Sequence, residues 1–170
     1  SFGRPGAPGG SCEAASAIGR AIESARLGGD GDGVAFEYLA GGETLRVACD
    51  EGRFEQVFLN LFLNAARAIR SAGRETGRVV VRSRPTIDAD GTPCVAFDVE
   101  DDGPGVPADV LPRIFDPFFT TGSGTGLGLA VTHGIVRAHG GEVTVENRAE
   151  GGARFVVVFP AADSASEAKS

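Results

Sequence analysis

Gln56, Asn60 and Asn64 recur every four residues in the stretch EQVFLNLFLNAARAI, and every residue between Gln56 and Asn60 and between Asn60 and Asn64 is apolar. That period sets the three carboxamides along one face of a helix. Asparagine is a poor helix former, and a buried carboxamide needs partners for its donor and its acceptor. Carboxamide oxygens are hard ligands of the kind Mg²⁺ takes while it shares its other positions with substrate phosphates. Arg67, three residues past Asn64, lies on nearly the same face and would bring positive charge to a phosphate. A pair of core amides satisfied within the protein, beside a solvent-facing arginine, explains the same pattern.

A second group closes the stretch CVAFDVEDDGPG. Its alternating apolar residues predict a strand that ends in carboxylates, Asp101 among them, and then in Gly103 and Gly105. A carboxylate there can accept from an exocyclic amine such as that of adenine, and the glycines let a flat ring lie against the backbone. An acidic turn or a cation loop reads from the same residues. Further on, TGSGTGLGLA places glycines at alternating positions ahead of a helical run. The stretch has no lysine and fits neither the P-loop nor the dinucleotide spacing. Amides exposed at a helix start form an anion site without a lysine, which makes Gly124, Gly126, Leu127 and Gly128 candidates. Between the two groups, RIFDPFFTT carries Phe115, Phe118 and Phe119, either core or hinge residues or anchors of a mobile lid spanning Thr120 to Thr125. His133, in mid-helix, and His139, at a helix end, read as structural.

These residues need elements to hold them. The periodicity predicts helices over Ser11–Leu27, Glu51–Ser71 and Leu127–Ala138, with a short one reaching Ile114. Strands are predicted in VAFEYLA, TLRVACD, RVVVRSR, CVAFDVED, EVTVEN and ARFVVVFP, the first two as a hairpin turning at GGE. Several strands are sequence neighbours, so the fold class is α+β: a two-layer α/β sandwich with a mixed sheet of about five strands, plus an N-terminal hairpin, packed on about three helices. Residues 1–10 read as a linker, 11–162 as one domain and 163–170 as a disordered tail.

The totals narrow the function classes. In 170 residues the formal net charge is −7, which argues against a nucleic-acid surface. No apolar run approaches a membrane span, so no membrane contact is expected. The three cysteines are odd in number and far apart, which favours a reducing, cytoplasmic setting. The chain has no methionine, and so reads as a piece of a longer protein.

Taken in order, NLFLNAARA, DDGPG, FDPFF and GTGLGL resemble the N, G1, F and G2 boxes of the ATP-binding catalytic domain of sensor histidine kinases, in a superfamily with DNA gyrase, Hsp90 and MutL ATPases. The resemblance covers roughly residues 51–160, and SFGRP is similar to the end of the helical hairpin that precedes this domain in such kinases. It implies ATP and Mg²⁺ as ligands, with Asn64 on the metal and Asn60 assisting, and with a tentative catalytic part for Asn60. Arg67 would meet the phosphates, Asp101 the adenine amine with Gly103 and Gly105 beside the ring, and Gly124, Gly126, Leu127 and Gly128 the phosphates through their amides. Phe118 and Thr125, in the F box and the lid, join that set.

The implied partners are a dimerisation and phosphoacceptor hairpin and a response regulator receiver domain, with this chain itself monomeric. Three departures stand out: a short lid without the lysine often found after FFTT, Ala153 where Thr or Ser often supports the adenine end, and no histidine in an acceptor-like context. In the ATP-hydrolysing members, the residue four before the metal-binding Asn is a glutamate that activates water. Here it is Asn60, so phosphoryl transfer to a histidine is favoured over an ATP-hydrolysing clamp, with a degenerate docking module and a serine kinase of the anti-sigma type as further alternatives.

Overall fold

The computed structural model describes residues 9–117, 119 and 128–162. Chain order is β1 (Cys12–Glu13), α1 (Ala14–Leu27), β2 (Val34–Leu39), β3 (Arg46–Val47), α2 (Glu51–Ser71), β4 (Gly77–Ile87), β5 (Pro93–Asp101), α3 (Gly128–Ala138), β6 (Glu142–Asn147) and β7 (Ala153–Pro160). Single 3-10 turns sit at Gly29–Gly31 and Leu111–Arg113. Five strands form one mixed sheet in the order β2-β4-β5-β7-β6, in which only β2 and β4 run parallel. The α+β sandwich expected from the sequence is the one observed.

Strand alternation decides which face the helices cover. Val95, Phe97 and Val99 of β5 and Phe155, Val157 and Phe159 of β7 are buried, while the residues between those of β7 are only partly so. The α2 stripe of Phe54, Val57, Phe58, Leu61, Phe62, Ala65, Ala66 and Ile69, at helical spacing, closes over this apolar face. Its rings interlock with the sheet: Phe54 and Phe58 stand 5.5 and 5.3 Å from Phe97, centroid to centroid, and Phe54 lies 5.3 Å from Phe159. Asp50 starts the helix by accepting from the Arg53 amide at 3.0 Å. α1 packs along one flank of α2, its buried face being mostly alanine, and α3 packs along the other.

Among the described residues, the opposite face of the sheet carries ion pairs rather than a further layer. Arg78 meets Glu37 at 2.6 Å, Arg82 meets Glu100 at 2.8 Å, and Arg154 bridges Glu100 and Glu146 at 2.9 and 2.6 Å. Burial alone would raise the Glu100 carboxyl, but Arg154 and Arg82 outweigh it and hold it below the usual carboxylate range.

Several expected details differ. Residues 34–39 and 46–47 do not pair with each other. β2 lies parallel to β4, and the small antiparallel pair forms between β1 and β3. In the parallel register Phe36 sits opposite Val79 and Tyr38 opposite Val81, so the apolar rows of both strands coincide on the helix side. The intervening α2 supplies the crossover that a parallel pair requires. Because Cys12–Glu13 is taken up by β1, α1 starts at Ala14 rather than at Ser11. The short helix before Ile114 is one 3-10 turn with Pro112 inside it, where no amide is available to continue a helix. Among the described residues, no helix is long and apolar enough to cross a membrane.

Candidate functional site

α2 carries the carboxamides, and each meets a different environment. Gln56 accepts from the Arg53 guanidinium at 3.4 Å, at the edge of the helix start. Asn60 is half-buried, and its Nδ2 donates to the Gly128 carbonyl at 3.3 Å and to Thr132 Oγ1 at 3.4 Å. One side chain thus ties the middle of α2 to the first turn of α3. With the nitrogen committed, Oδ1 is the atom of Asn60 left for a cation. Asn64, one turn further on and also half-buried, is not enclosed in the core.

Arg67, an exposed residue of the same helix, pairs with a carboxylate in this structure. Its Nε pairs with Asp30 Oδ2 at 3.1 Å, on the 3-10 turn after α1. Arg70 holds that turn in place, donating to the carbonyls of Asp32 at 2.6 Å, Gly29 at 3.3 Å and Asp30 at 3.4 Å. Helical spacing keeps Arg67 close to the Asn60 and Asn64 face. Its Nε is engaged by the turn that follows α1. Asn60 and Gly128 are brought together.

Further along α2, the buried stripe of the helix meets the strand-end carboxylate through Ile69. Asp101 closes β5 at 5% exposure, and its Oδ1 accepts from the amides of Gly103 at 2.9 Å and Ala153 at 3.4 Å. Burial pushes its carboxyl above the usual aspartate range, with the Gly103 and Ala153 amides pulling the other way. Oδ2 is left as an acceptor. A Cβ on Gly103 would stand 3.1 Å from Asp101 Oδ1 and 3.3 Å from Ile69, so the backbone passes this wall with no room for a side chain. Asp102 turns away to the Arg78 amide at 2.9 Å and to Arg74. Ile69 lies nine residues beyond Asn60, so one helix spans about 14 Å between the two ends of the site.

Phe115 is half-buried against Phe155 and stacks on His133 with centroids 5.3 Å apart, which anchors the segment before residue 118. Arg113 lies over the Phe119 ring at 4.7 Å. Phe118, Gly124, Thr125, Gly126 and Leu127 lie outside the described residues, as do residues 1–8 and 163–170. His139 is buried, with Nδ1 on the Ile135 carbonyl at 2.8 Å, a structural placement. Burial lifts the Cys12 and Cys49 thiols to about 12, so neither is a thiolate ligand near neutral pH. Among the described residues, no three His, Cys, Asp or Glu side chains gather to hold a metal. A magnesium ion here would draw its protein ligands from carboxamide oxygens and the rest from phosphates and water, which suits that ion.

Sequence reasoning passed over the β6–β7 turn. Arg148 Nη1 donates to the Asp101 carbonyl at 2.8 Å, and Asn147 bonds both polar backbone atoms of Val106. The paired glycines 151 and 152, both at positive φ, were the available signal.

The pattern of the family described as "Histidine kinase-, DNA gyrase B-, and HSP90-like ATPase" matches residues 49–163. The sensor kinase CckA of Brucella abortus (strain 2308) is 41% identical over 127 residues, which cover 67% of this chain and 13% of that protein. The mycobacterial sensor histidine kinase MprB has a TM-score of 0.76 at 27% identity, covering 91% of this chain and 98% of that one. Full-length ShkA in complex with AMPPNP has a TM-score of 0.73 at 29% identity, covering 90% of this chain and 31% of that one. The chain spans only 13% to 26% of the length of the curated relatives it matches.

Proposed function

The chain belongs to the family of histidine kinase-, DNA gyrase B- and HSP90-like ATPases, and we propose that it binds Mg-ATP and passes the γ-phosphoryl group to a histidine on a separate dimerisation and phosphoacceptor domain. The observation that carries this reading is that α2 is tied to both candidate ends of the site: Asn60 joins the α3 start through Gly128 and Thr132, and from its buried side Ile69 packs against Gly103 beside the buried Asp101 carboxylate. A base at Asp101 and a triphosphate at the α3 start match the chemistry of those two places.

Asp101 Oδ2 accepts from the adenine amine, a contact that guanine, with a carbonyl in that place, cannot make. Asn64 and Asn60 offer carboxamide oxygens to magnesium, which when bound neutralises charge across the phosphate oxygens. The α3 start adds amide dipoles aimed at the same anion. Arg67 exchanges Asp30 for the phosphates. A carboxamide at Asn60 takes no proton at neutral pH, so water at this site lacks a general base, whereas a neutral imidazole already carries its lone pair. Positioning and charge neutralisation then suffice for transfer to histidine. The work belongs in the cytoplasm, where ATP is, and a response regulator receives the phosphoryl group.

The deciding experiment mixes the chain with its native helical hairpin and γ-labelled ATP. Acid-labile label on the hairpin is the expected result, and free phosphate released by the chain alone would favour the hydrolytic clamp instead. A pH dependence follows from Asp101. Its carboxyl is raised by burial, so it protonates on acidification before an ordinary aspartate does, and ATP affinity should start to fall above the usual aspartate range. The stability contribution of this group has the opposite sign, being present at low pH and lost as pH rises through the raised value. Calorimetric titration of ATP across pH, with Mg-tripolyphosphate, which lacks the base, as the control for the titration of the phosphates, reads the effect; an affinity that stays level down to ordinary aspartate pH would overturn it.

A further inference from the structure

The loop from Asp101 to Val106 has hydrogen bonds to one neighbouring turn at both of its ends. At the near end, Arg148 Nη1 donates to the Asp101 carbonyl at 2.8 Å and to the Gly151 carbonyl at 3.1 Å. At the far end, the Asn147 carboxamide stands in for a strand partner. Its Oδ1 accepts from the Val106 amide at 2.7 Å and its Nδ2 donates to the Val106 carbonyl at 2.7 Å. Gly105, just before Val106, adopts φ +81, and a Cβ there would stand 2.9 Å from Asn147 Oδ1. The loop approaches the carboxamide so closely that glycine is needed in between. Asn147 also forms the last rung of the β6–β7 ladder opposite Ala153, whose amide donates to Asp101 Oδ1. The rung that holds the loop thus belongs to the same pair that orients the carboxylate.

We infer that Asn147 is a positioning residue for the purine base: by fixing Val106 through two hydrogen bonds, it sets the height of the Gly103–Gly105 backbone above the ring and the approach of Asp101 to the amine. It touches no part of the nucleotide itself. Both of its bonds act on Val106, in the loop that follows Asp101, so its loss is felt by the base and not by the phosphates.

The inference rests on the ATP-binding reading, and its test separates the two. The 170-residue chain, wild type, Asn147→Ala and Asn147→Asp, is titrated with Mg-ATP and with Mg-tripolyphosphate, which has the tail without the base. Asn147→Ala is expected to weaken ATP by about fivefold to tenfold, the scale for losing one or two hydrogen bonds, while tripolyphosphate binding stays the same. Asn147→Asp keeps the acceptor for the Val106 amide but sets a carboxylate oxygen against the Val106 carbonyl, so it too should lose ATP and spare tripolyphosphate. It keeps the question open to measurement should the alanine variant fail to fold. Equal loss of both ligands would mark a merely structural role and overturn the assignment, as would an unchanged ATP affinity in both variants. Should the wild type bind tripolyphosphate but gain nothing from the base, the nucleotide reading itself falls, and the role of Asn147 with it.

Discussion

Asn64→Ala is expected to weaken magnesium-dependent nucleotide binding about a hundredfold while leaving the fold intact. The side chain is half-buried on α2, and the core stripe of the helix runs through Phe62, Ala65 and Ala66 instead. Alanine is the better helix former at such a position, so the melting temperature should hold or rise slightly. The cost falls on the ligand. In the proposed site Asn64 would supply magnesium with a hard oxygen donor, and Asn60, whose nitrogen is tied to Gly128 and Thr132, would not replace it. A loss of roughly 3 kcal/mol, or about a hundredfold or more in phosphoryl transfer, is the scale for removing one such interaction. Calorimetry with Mg-ATP and acid-labile label on the hairpin measure it. Transfer within threefold of wild type would remove Asn64 from the metal site.

The second large effect concerns the backbone. In Gly152→Ala the new Cβ would stand 1.9 Å from the Asp101 carbonyl oxygen and 2.8 Å from its carbon, at a residue with φ +89. Neither atom belongs to a flexible side chain, so the end of β5 must move. Gly151 is the natural control, since its φ is +107 but nothing lies within 4 Å of its would-be Cβ. Gly151→Ala should cost only the strain of a left-handed alanine, about 1–2 kcal/mol. Gly152→Ala should cost about 3 kcal/mol or more, which lowers the melting temperature by roughly 10 °C in a domain of this size. Its nucleotide affinity should fall as well, because the displaced residue is Asp101. Thermal unfolding of the two variants side by side is the measurement. Equal melting temperatures would mean that the β6–β7 turn does not press on β5.

How much of this was legible beforehand varies from one element to the next. α2 could be read residue by residue, because a long run with apolar positions at helical spacing leaves little choice of buried face, and the carboxamides sit beside that face at a regular interval. Asp101 was legible for a similar reason: alternation along β5 runs into two carboxylates and a glycine, and a strand end is where such a carboxylate is useful. The pairing of residues 34–39 was not. Local turn chemistry at GGE pointed to a hairpin, but the partner that matches the buried rows of Val34 and Phe36 is β4, which lies beyond an entire helix in the chain. Arg67 was assigned to a phosphate from its helix face alone; the counter-charge it meets, Asp30, is 37 positions earlier.

By itself the sequence determined the layered α+β architecture, the helix that forms the wall of the site and the identity of the groups along it. These depend on periodicities within single segments, which each segment expresses whatever it packs against. Only the tertiary structure decided which segments became neighbours: Asn60 on Gly128, Asp101 under Gly152 and Arg148, Asn147 on Val106. Those contacts join residues separated by 41 to 68 positions. Their geometry comes from the whole sheet closing on its helices, and no local pattern encodes it.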